Sequence, residues 1–263
     1  MKTRNYILGL VLLILLVAGG WFLFVREGIA PSVNNEAVDF IDPSQDRQLS
    51  DEDENTDGDN GSTDIPQTQA VLLNVPFSPQ APFGNWDDSR QQDGCEEVSA
   101  IMAVRWARGQ GLTKSEAEKE IIAISDWELA NYGQFHDSSA KDTIDRIFKG
   151  YFGFTNVRLV YDITVEDIKS ELYKGNLVIV PTNGKKLNNP YFTDGGPDNH
   201  MFPVIGYDPS TKEFIANDNG TKRGEKYRYH ENVLQSALRD YPTGYHEPIV
   251  ETHKRMIVVS KSE

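Results

Sequence analysis

The chain's one cysteine stands at the start of a predicted helix within residues 94–109, which read GCEEVSAIMAVRWARG. Val98, Met102 and Trp106 recur at four-residue spacing, which is the period of one face of an α-helix. The stretch closes on a glycine, a residue that commonly ends helices. We therefore predict a helix that begins near Cys95 and buries an apolar face.

A histidine opens an apolar hairpin predicted in the second half of the chain. His200 directly precedes the run MFPVIGY at residues 201–207, and a second strand, beginning near Glu213, is predicted to end in Asp218. The outer ends of two antiparallel strands lie side by side, so we expect His200 and Asp218 to meet. The other four histidines lie in polar segments and are predicted to be surface residues: His136, His230, His246 and His253.

A thiol at a helix N-terminus has the setting of a reactive cysteine, because the partial positive charge there stabilises a thiolate. Glu96 and Glu97 oppose this effect, since nearby carboxylates raise the pKa of a thiol. A cysteine nucleophile needs a base that is itself oriented by a carboxylate. The order Cys95, His200, Asp218 supplies those groups. The alternative interpretation is that Cys95 is a buried, small apolar residue without chemistry.

Helical patterns come first in residues 71–263, and strands follow. Thr113 and Glu116 have the spacing of a capping box that begins a second helix, and a third helix is predicted over residues 140–149. Besides the hairpin, strands are predicted at residues 71–75, 157–161, 177–180 and 256–259, with a further helix starting near Thr164. Helices followed by an antiparallel sheet predict an α+β fold.

Four segments together resemble the bacterial C39 family of cysteine peptidases, which process bacteriocins at double-glycine sites, in its stand-alone C39-like branch. They span most of residues 71–260 and read NVPFSPQ (74–80), GCEEVS (94–99), HMFPVIGYD (200–208) and NDNGTKRG (217–224). The resemblance implies a papain-like fold, in which a helical part carries the cysteine and an antiparallel sheet carries the histidine and the aspartate.

The resemblance also implies roles for the site residues. Cys95 would be the nucleophile, His200 would relay the proton, and Asp218 would orient His200. Gln80 matches the family glutamine that supplies an oxyanion donor beside the backbone N–H of the cysteine.

Several positions remain open. Gln91 and Gln92 are alternative oxyanion donors, because they lie nearer to the cysteine in sequence. Papain-like enzymes use either Asn or Asp as the third member, so Asn217 competes with Asp218. Asn219 stands where related proteins often read Asp-Pro, a change expected to leave the triad untouched.

The N-terminal segment, residues 1–30, has the composition of a membrane anchor. Lys2 and Arg4 precede 20 residues, 6–25, without a charge. As a helix these residues would span about 30 Å, which matches a bilayer core. We predict an uncleaved signal anchor with its N-terminus in the cytoplasm and the rest of the chain exported. A cleaved signal peptide is the alternative.

Residues 31–70 contain eleven acidic residues and one basic residue. Such a segment buries too little apolar surface to fold, so we predict a disordered acidic linker ahead of a peptidase domain at 71–263. Within it, Asp53, Asn55 and Asp57 imitate the spacing of a calcium-binding loop. A plain acidic spacer is the simpler interpretation.

Composition limits the function further. The formal net charge of −14 disfavours a nucleic-acid partner, and a single cysteine excludes an intrachain disulfide and multi-cysteine metal sites. No cofactor is predicted, and the oligomeric state is left open. The sequence predicts a membrane-anchored, extracytoplasmic cysteine peptidase acting on peptides or proteins. A peptidoglycan amidase or endopeptidase and an inactive, surface-tethered binding module are the alternatives.

Overall fold

The structure is a computed structural model that describes residues 68–261. The predicted anchor at 6–25, most of the acidic linker and the calcium-like spacing lie outside this range. No helix within residues 68–261 combines the length and apolar character needed to cross a bilayer. The strands and helices of the described range, in chain order, are β1 (Val71–Leu72), α1 (Ser89–Gln92), α2 (Cys95–Ala107), α3 (Lys114–Tyr132), α4 (Ala140–Asp142, continued by a π-helix at Thr143–Tyr151), β2 (Val157–Tyr161), α5 (Val165–Tyr173), β3 (Leu177–Thr182), two short 3-10 helices (Gly184–Leu187 and Thr193–Gly195), β4 (His200–Asp208), β5 (Glu213–Ala216), β6 (Tyr227–His230), α6 (Glu231–Ala237) and β7 (Arg255–Val259).

The seven strands of the described range form one antiparallel sheet, in which six strands follow the order β2-β7-β3-β4-β5-β6 and β1 lies beside β4 off this path. Strand β1 pairs with the end of β4, where Val71 lies opposite Tyr207. Strands β4 and β5 form the predicted hairpin, with Val204 opposite Ala216 and Asp208 opposite Glu213. The α+β prediction is therefore confirmed.

Successive side chains of a strand point to opposite faces of the sheet. In this fold a layer of helices covers each face. On β3, Leu177 and Ile179 pack into the apolar cluster that includes helices α2 and α3. Val178 and Val180 pack into the second cluster, with helices α5 and α6. Every residue of β3 is buried, as expected for a strand covered on both faces.

Helix α2 follows from its sequence as predicted: it begins at Cys95, and Arg105 is its one residue that is not buried. Helix α3 has the predicted capping box, in which the Thr113 hydroxyl accepts from the Glu116 N–H and the Glu116 carboxylate accepts from the Thr113 N–H. Gly133, at φ +80°, ends α3 in the left-handed conformation that favours glycine.

Three predictions about elements need correction. The third helix continues beyond Asp142 as a π-helix, in which Ile144 and Ile147 are buried. Two turns of apolar pattern did not distinguish the period of a π-helix from that of an α-helix. Strand β5 ends at Ala216 rather than at Asp218, because the Asp218 N–H turns to the carbonyl of Gly224. Strand β6 and helix α6 were not predicted, since the sequence YRYH of β6 has little aliphatic character.

Candidate active site

The sheet side of the site consists of a buried imidazole and a buried carboxylate. His200 is the first residue of β4, and Asp218 lies two residues beyond the end of β5, where the hairpin brings them together. His200 Nε2 lies 2.8 Å from Asp218 Oδ1, and the side chains are 1% and 0% exposed. The predicted meeting of these two residues is confirmed.

Asp218 is surrounded by hydrogen-bond donors. Its Oδ1 also accepts from the Gly220 N–H at 3.1 Å, and its Oδ2 accepts from Asn189 Nδ2 at 3.1 Å and from the Tyr229 hydroxyl. Burial alone would raise the pKa of Asp218, but the His200 imidazole, the Tyr229 hydroxyl and the Gly220 N–H together hold this pKa below its usual value. The carboxylate is therefore ionised wherever the protein is folded near neutral pH.

Asn217 faces away from the imidazole. Its Nδ2 donates to the carbonyl of Val75 at 3.2 Å, and its Oδ1 accepts from the Lys226 N–H at 3.2 Å. Adjacent residues project to opposite sides of an extended chain, so only one of Asn217 and Asp218 can reach His200. The structure brings Asp218, not Asn217, to the histidine.

The helix side of the site carries the cysteine. Cys95 is the first residue of α2, its side chain is buried, and its Sγ donates to Glu96 Oε2 at 3.0 Å. Burial, and after it the Glu96 carboxyl, raise the pKa of the Cys95 thiol well above its ordinary value. Cys95 and His200 line the same cleft, yet within residues 68–261 the side-chain hydrogen bond of the sulfur is to Glu96 and not to His200. A backbone hydrogen bond with Met201 opposes part of the rise in the thiol pKa.

Asn219 joins the two sides. Its Nδ2 lies 3.1 Å from the carbonyl oxygen of Cys95, 3.0 Å from that of Met201 and 2.9 Å from Ser99 Oγ. The side chain thus ties the first turn of α2 to the first residues of β4. This amide contacts the backbone of the cysteine, and the expectation that the change at position 219 leaves the triad itself untouched stays a prediction.

Gln80 lies at the site with its donors already engaged. Its backbone N–H donates to the Asn219 carbonyl at 2.9 Å, and its Nε2 donates to the carbonyls of Gln91 at 3.1 Å and Gln92 at 2.5 Å. Gln80 and Gln92 line the cleft, whereas Gln91 is buried below it. The glutamine that the resemblance implied is therefore beside the cysteine's helix, but it points at backbone oxygens.

The cleft has a volume of about 1,320 Å³, large enough for a peptide segment. Its walls include two histidines that the sequence analysis placed on the surface: His136 Nε2 lies 3.6 Å from Asp93, and His246 Nδ1 lies 3.4 Å from Asp137. The first contact joins residues 43 positions apart and the second joins residues 109 positions apart, so no local spacing could reveal them. Exposed aromatic rings complete the rim, namely Phe83, Trp86, Tyr191 and Tyr245.

No group of three His, Cys, Asp or Glu side chains in the described part of the chain has the arrangement of a metal site. The calcium-like spacing of Asp53, Asn55 and Asp57 falls outside that part and stays a prediction.

Comparisons with known proteins identify the family of this chain. The model of the Peptidase_C39 like family matches residues 72–244. Among solved structures, the chain is similar to a C39-like peptidase from Bacillus anthracis, with 16% identity, 74% of this chain and 100% of that chain covered, and a TM-score of 0.42. It is also similar to xylellain, a cysteine protease from Xylella fastidiosa, with 13% identity, 74% and 86% covered, and a TM-score of 0.32. A search of curated proteins found no match.

Proposed function

Because this chain belongs to the Peptidase_C39-like family and is a thiol peptidase, we propose that Cys95, His200 and Asp218 are its catalytic residues. The observation that carries the proposal is the buried contact of 2.8 Å between His200 Nε2 and Asp218 Oδ1, at the cleft that Cys95 also lines. A buried imidazole held by an ionised carboxylate is the base that a cysteine nucleophile requires.

The contact with Asp218 sets the tautomer of the imidazole. Neutral His200 donates its Nε2–H to the carboxylate, which leaves the lone pair of Nδ1 as the proton acceptor. Nδ1 takes the proton of the Cys95 thiol as the sulfur attacks the substrate carbonyl carbon. The imidazolium then protonates the leaving amine, and a thioester to Cys95 remains. Water, deprotonated by Nδ1, hydrolyses the thioester and restores the thiol.

The developing oxyanion needs two donors in this scheme. One is the backbone N–H of Cys95 at the start of α2, where helix N–H groups lack intrahelical partners. The second is Gln80 Nε2, which would exchange its longer bond, 3.1 Å to the Gln91 carbonyl, for the substrate oxygen. Gln80 therefore keeps its predicted role on condition that this one hydrogen bond is replaced when substrate binds.

The first test of the proposal is the loss of hydrolysis in Cys95→Ala. A library of quenched fluorescent peptides, assayed with the folded variant and the wild type, should show cleavage by the wild type only. Alanine preserves helix propensity at this position, so we expect an unchanged fold. Hydrolysis at the wild-type rate by Cys95→Ala would contradict the proposal. Purified peptidoglycan, digested in parallel, tests whether the amide bonds cut belong to the cell wall.

We further propose that the peptidase domain is held outside the cytoplasmic membrane by residues 6–25. Support comes from the uncharged stretch after Lys2 and Arg4 and from the acidic residues that follow it. A flexible tether of about 40 residues would reach about 35 Å. Protease added to intact cells should release a fragment beginning near residue 70. Recovery of the intact chain in the cytosolic fraction would contradict the proposed location.

A further inference from the structure

Glu96 places a buried carboxyl group directly behind the proposed nucleophile. The side chain is 2% exposed, and its Oε2 accepts from Cys95 Sγ at 3.0 Å. Its other oxygen, Oε1, accepts from the Tyr241 hydroxyl at 2.6 Å and from the Ser138 N–H at 3.2 Å. Both oxygens are thus oriented by fixed donors, and one of those donors is the thiol that has to react.

No cation compensates this carboxyl group. Within residues 68–261 Glu96 has no salt bridge, and the titratable groups that face it are all acids, namely Cys95, Glu97, Asp137 and Tyr241. Burial, with Asp137 adding to it, raises the pKa of Glu96 to about 8. Glu96 therefore exists in both protonation states near neutral pH, and each state offers a different partner to the sulfur.

We propose that Glu96 is a positioning residue whose own proton decides the hydrogen bond of the Cys95 sulfur. This inference rests on the proposed function and concerns the same site. Ionised Glu96 accepts the S–H bond and holds the thiol in a protonated, resting form. Protonated Glu96 instead donates its O–H to the sulfur. The thiol proton then passes to Nδ1 of His200, which gives a thiolate, an imidazolium and a neutral Glu96.

Tyr241 sets the balance between the two states. Its hydroxyl donates to Glu96 Oε1, a bond that stabilises the ionised carboxylate and opposes part of the effect of burial. Removal of this hydroxyl therefore shifts Glu96 toward its protonated form, so that the resting form appears at a higher pH.

The experiment is the pH profile of Cys95 alkylation by iodoacetamide, followed by mass spectrometry between pH 5.5 and 10. Glu96→Gln keeps the size of the side chain but cannot ionise. A carboxylate in contact with a thiol raises the thiol pKa by a unit or more, and one unit is a tenfold change. We expect the variant to react about tenfold faster than the wild type above pH 8, with the difference disappearing below pH 6.

Glu97→Gln is the matched control. Glu97 is the adjacent buried carboxyl on α2, but it contacts Ser125 Oγ at 3.2 Å rather than the sulfur. Glu97 faces Glu96 but not the sulfur, so after its substitution the loss of reactivity that accompanies ionisation of Glu96 should remain, with no tenfold gain above pH 8. A Glu96→Gln profile identical to the wild type, or an equal change in Glu97→Gln, would overturn the inference.

If thermal melting shows that Glu96→Gln does not fold, Tyr241→Phe is used to test the inference instead. The break in its alkylation profile should move to higher pH, and a break at the wild-type position would overturn the inference. These outcomes are independent of the proposed function, because alkylation reports the state of the sulfur alone. Failure of the proposed function would appear separately, as hydrolysis that survives in Cys95→Ala.

Discussion

The sheet side and the helix side of the cleft bury carboxyl groups in opposite electrostatic settings. On the sheet side, Asp218 accepts from an imidazole, a hydroxyl, an amide and a backbone N–H, and its pKa lies below the ordinary value. On the helix side, Glu96, Glu97 and Glu128 are equally buried, and their pKa values are raised. Burial is common to both sides, so the neighbours of each group determine its charge: the imidazole of His200 beside Asp218, and other carboxyl groups beside Glu96 and Glu97.

Under the proposed function, this difference gives each side a task. The sheet side is preorganised in the ionised form that would orient His200 for proton transfer. On the helix side, the thiol proton stays on Cys95 until His200 takes it, and Glu96 keeps its own proton in the reactive state. In this account catalysis starts when a proton leaves the helix side for His200, and variants of the two sides should fail in different ways.

The largest expected effect comes from removing the carboxylate on the sheet side. Asp218→Ala leaves the His200 tautomer unspecified and the imidazolium without a counter-charge. By analogy with serine triads, we expect turnover to fall by up to about 10⁴-fold. The rate of peptide hydrolysis by the folded variant checks this.

Asn217→Ala is the control for the loss of a buried polar side chain at the neighbouring position. The side chain of Asn217 donates to the carbonyls of Val75 and Pro76 and not to the histidine. We therefore expect a far smaller loss of turnover. If Asn217→Ala were the more damaging of the two, the third catalytic role would belong to Asn217.

A smaller effect on the sheet side should follow from crowding the imidazole. A methyl group at Gly220 would lie 2.9 Å from Cε1 of Phe192, 3.0 Å from Cε1 of His200 and 3.2 Å from Nε2 of His200, closer than a relaxed contact allows. A misplaced catalytic group can cost up to about 100-fold, so we expect Gly220→Ala to lower kcat by about 10- to 100-fold. Gly111→Ala meets open space and should retain wild-type kcat. Equal kcat values in both variants would show that the ring position is not critical.

The smallest expected effect lies on the helix side and concerns stability. Burial raises the pKa of Glu128 to about 7, from an ordinary 4.5. Between these two values the folded protein holds a proton that the unfolded chain does not, so the free energy of unfolding falls as pH rises through this window. The amide side chain of Glu128→Gln does not ionise, so this variant lacks the pH-dependent contribution of Glu128 to the free energy of unfolding. Relative to the wild type it should gain on the order of 3 kcal/mol between pH 4.5 and pH 8.

Urea unfolding at the two pH values measures this gain. Glu118→Gln, a less buried carboxyl on the same helix α3, is the control for the loss of one negative charge. An equal pH-dependent gain in both variants would mean that burial of Glu128 is not the cause.

The sequence predicted much of the fold and part of the site for identifiable reasons. The helix that begins at Cys95 and the hairpin that begins at His200 both follow from apolar periodicity over a single segment. Strand parity could not choose between Asn217 and Asp218, because side chains on both faces of β5 are buried and the strand ends at Ala216, before either residue. The position of Asp218 is fixed by a hydrogen bond from its N–H to the Gly224 carbonyl, beyond the reach of the pattern.

Long-range polar contacts account for what the sequence could not reveal. The sequence indicated that Glu96 opposes a thiolate. It could not indicate the hydrogen bond of Glu96 with Tyr241, because that bond joins residues 145 positions apart. Asn219 likewise reaches the Cys95 carbonyl across 124 positions. Such contacts depend on how the helices and the sheet pack, and no spacing within one segment encodes them.

The most direct test of the account is the rate at which a peptide vinyl sulfone modifies Cys95 at pH 7. A peptide-based probe occupies the cleft as a substrate does, so it reports on the nucleophile and its base together. We expect folded wild type to react at least about 100-fold faster than both folded His200→Ala and the urea-unfolded chain, since a positioned general base contributes that much or more. Equal rates in wild type and His200→Ala would contradict the claim that the cysteine and the histidine form one catalytic unit.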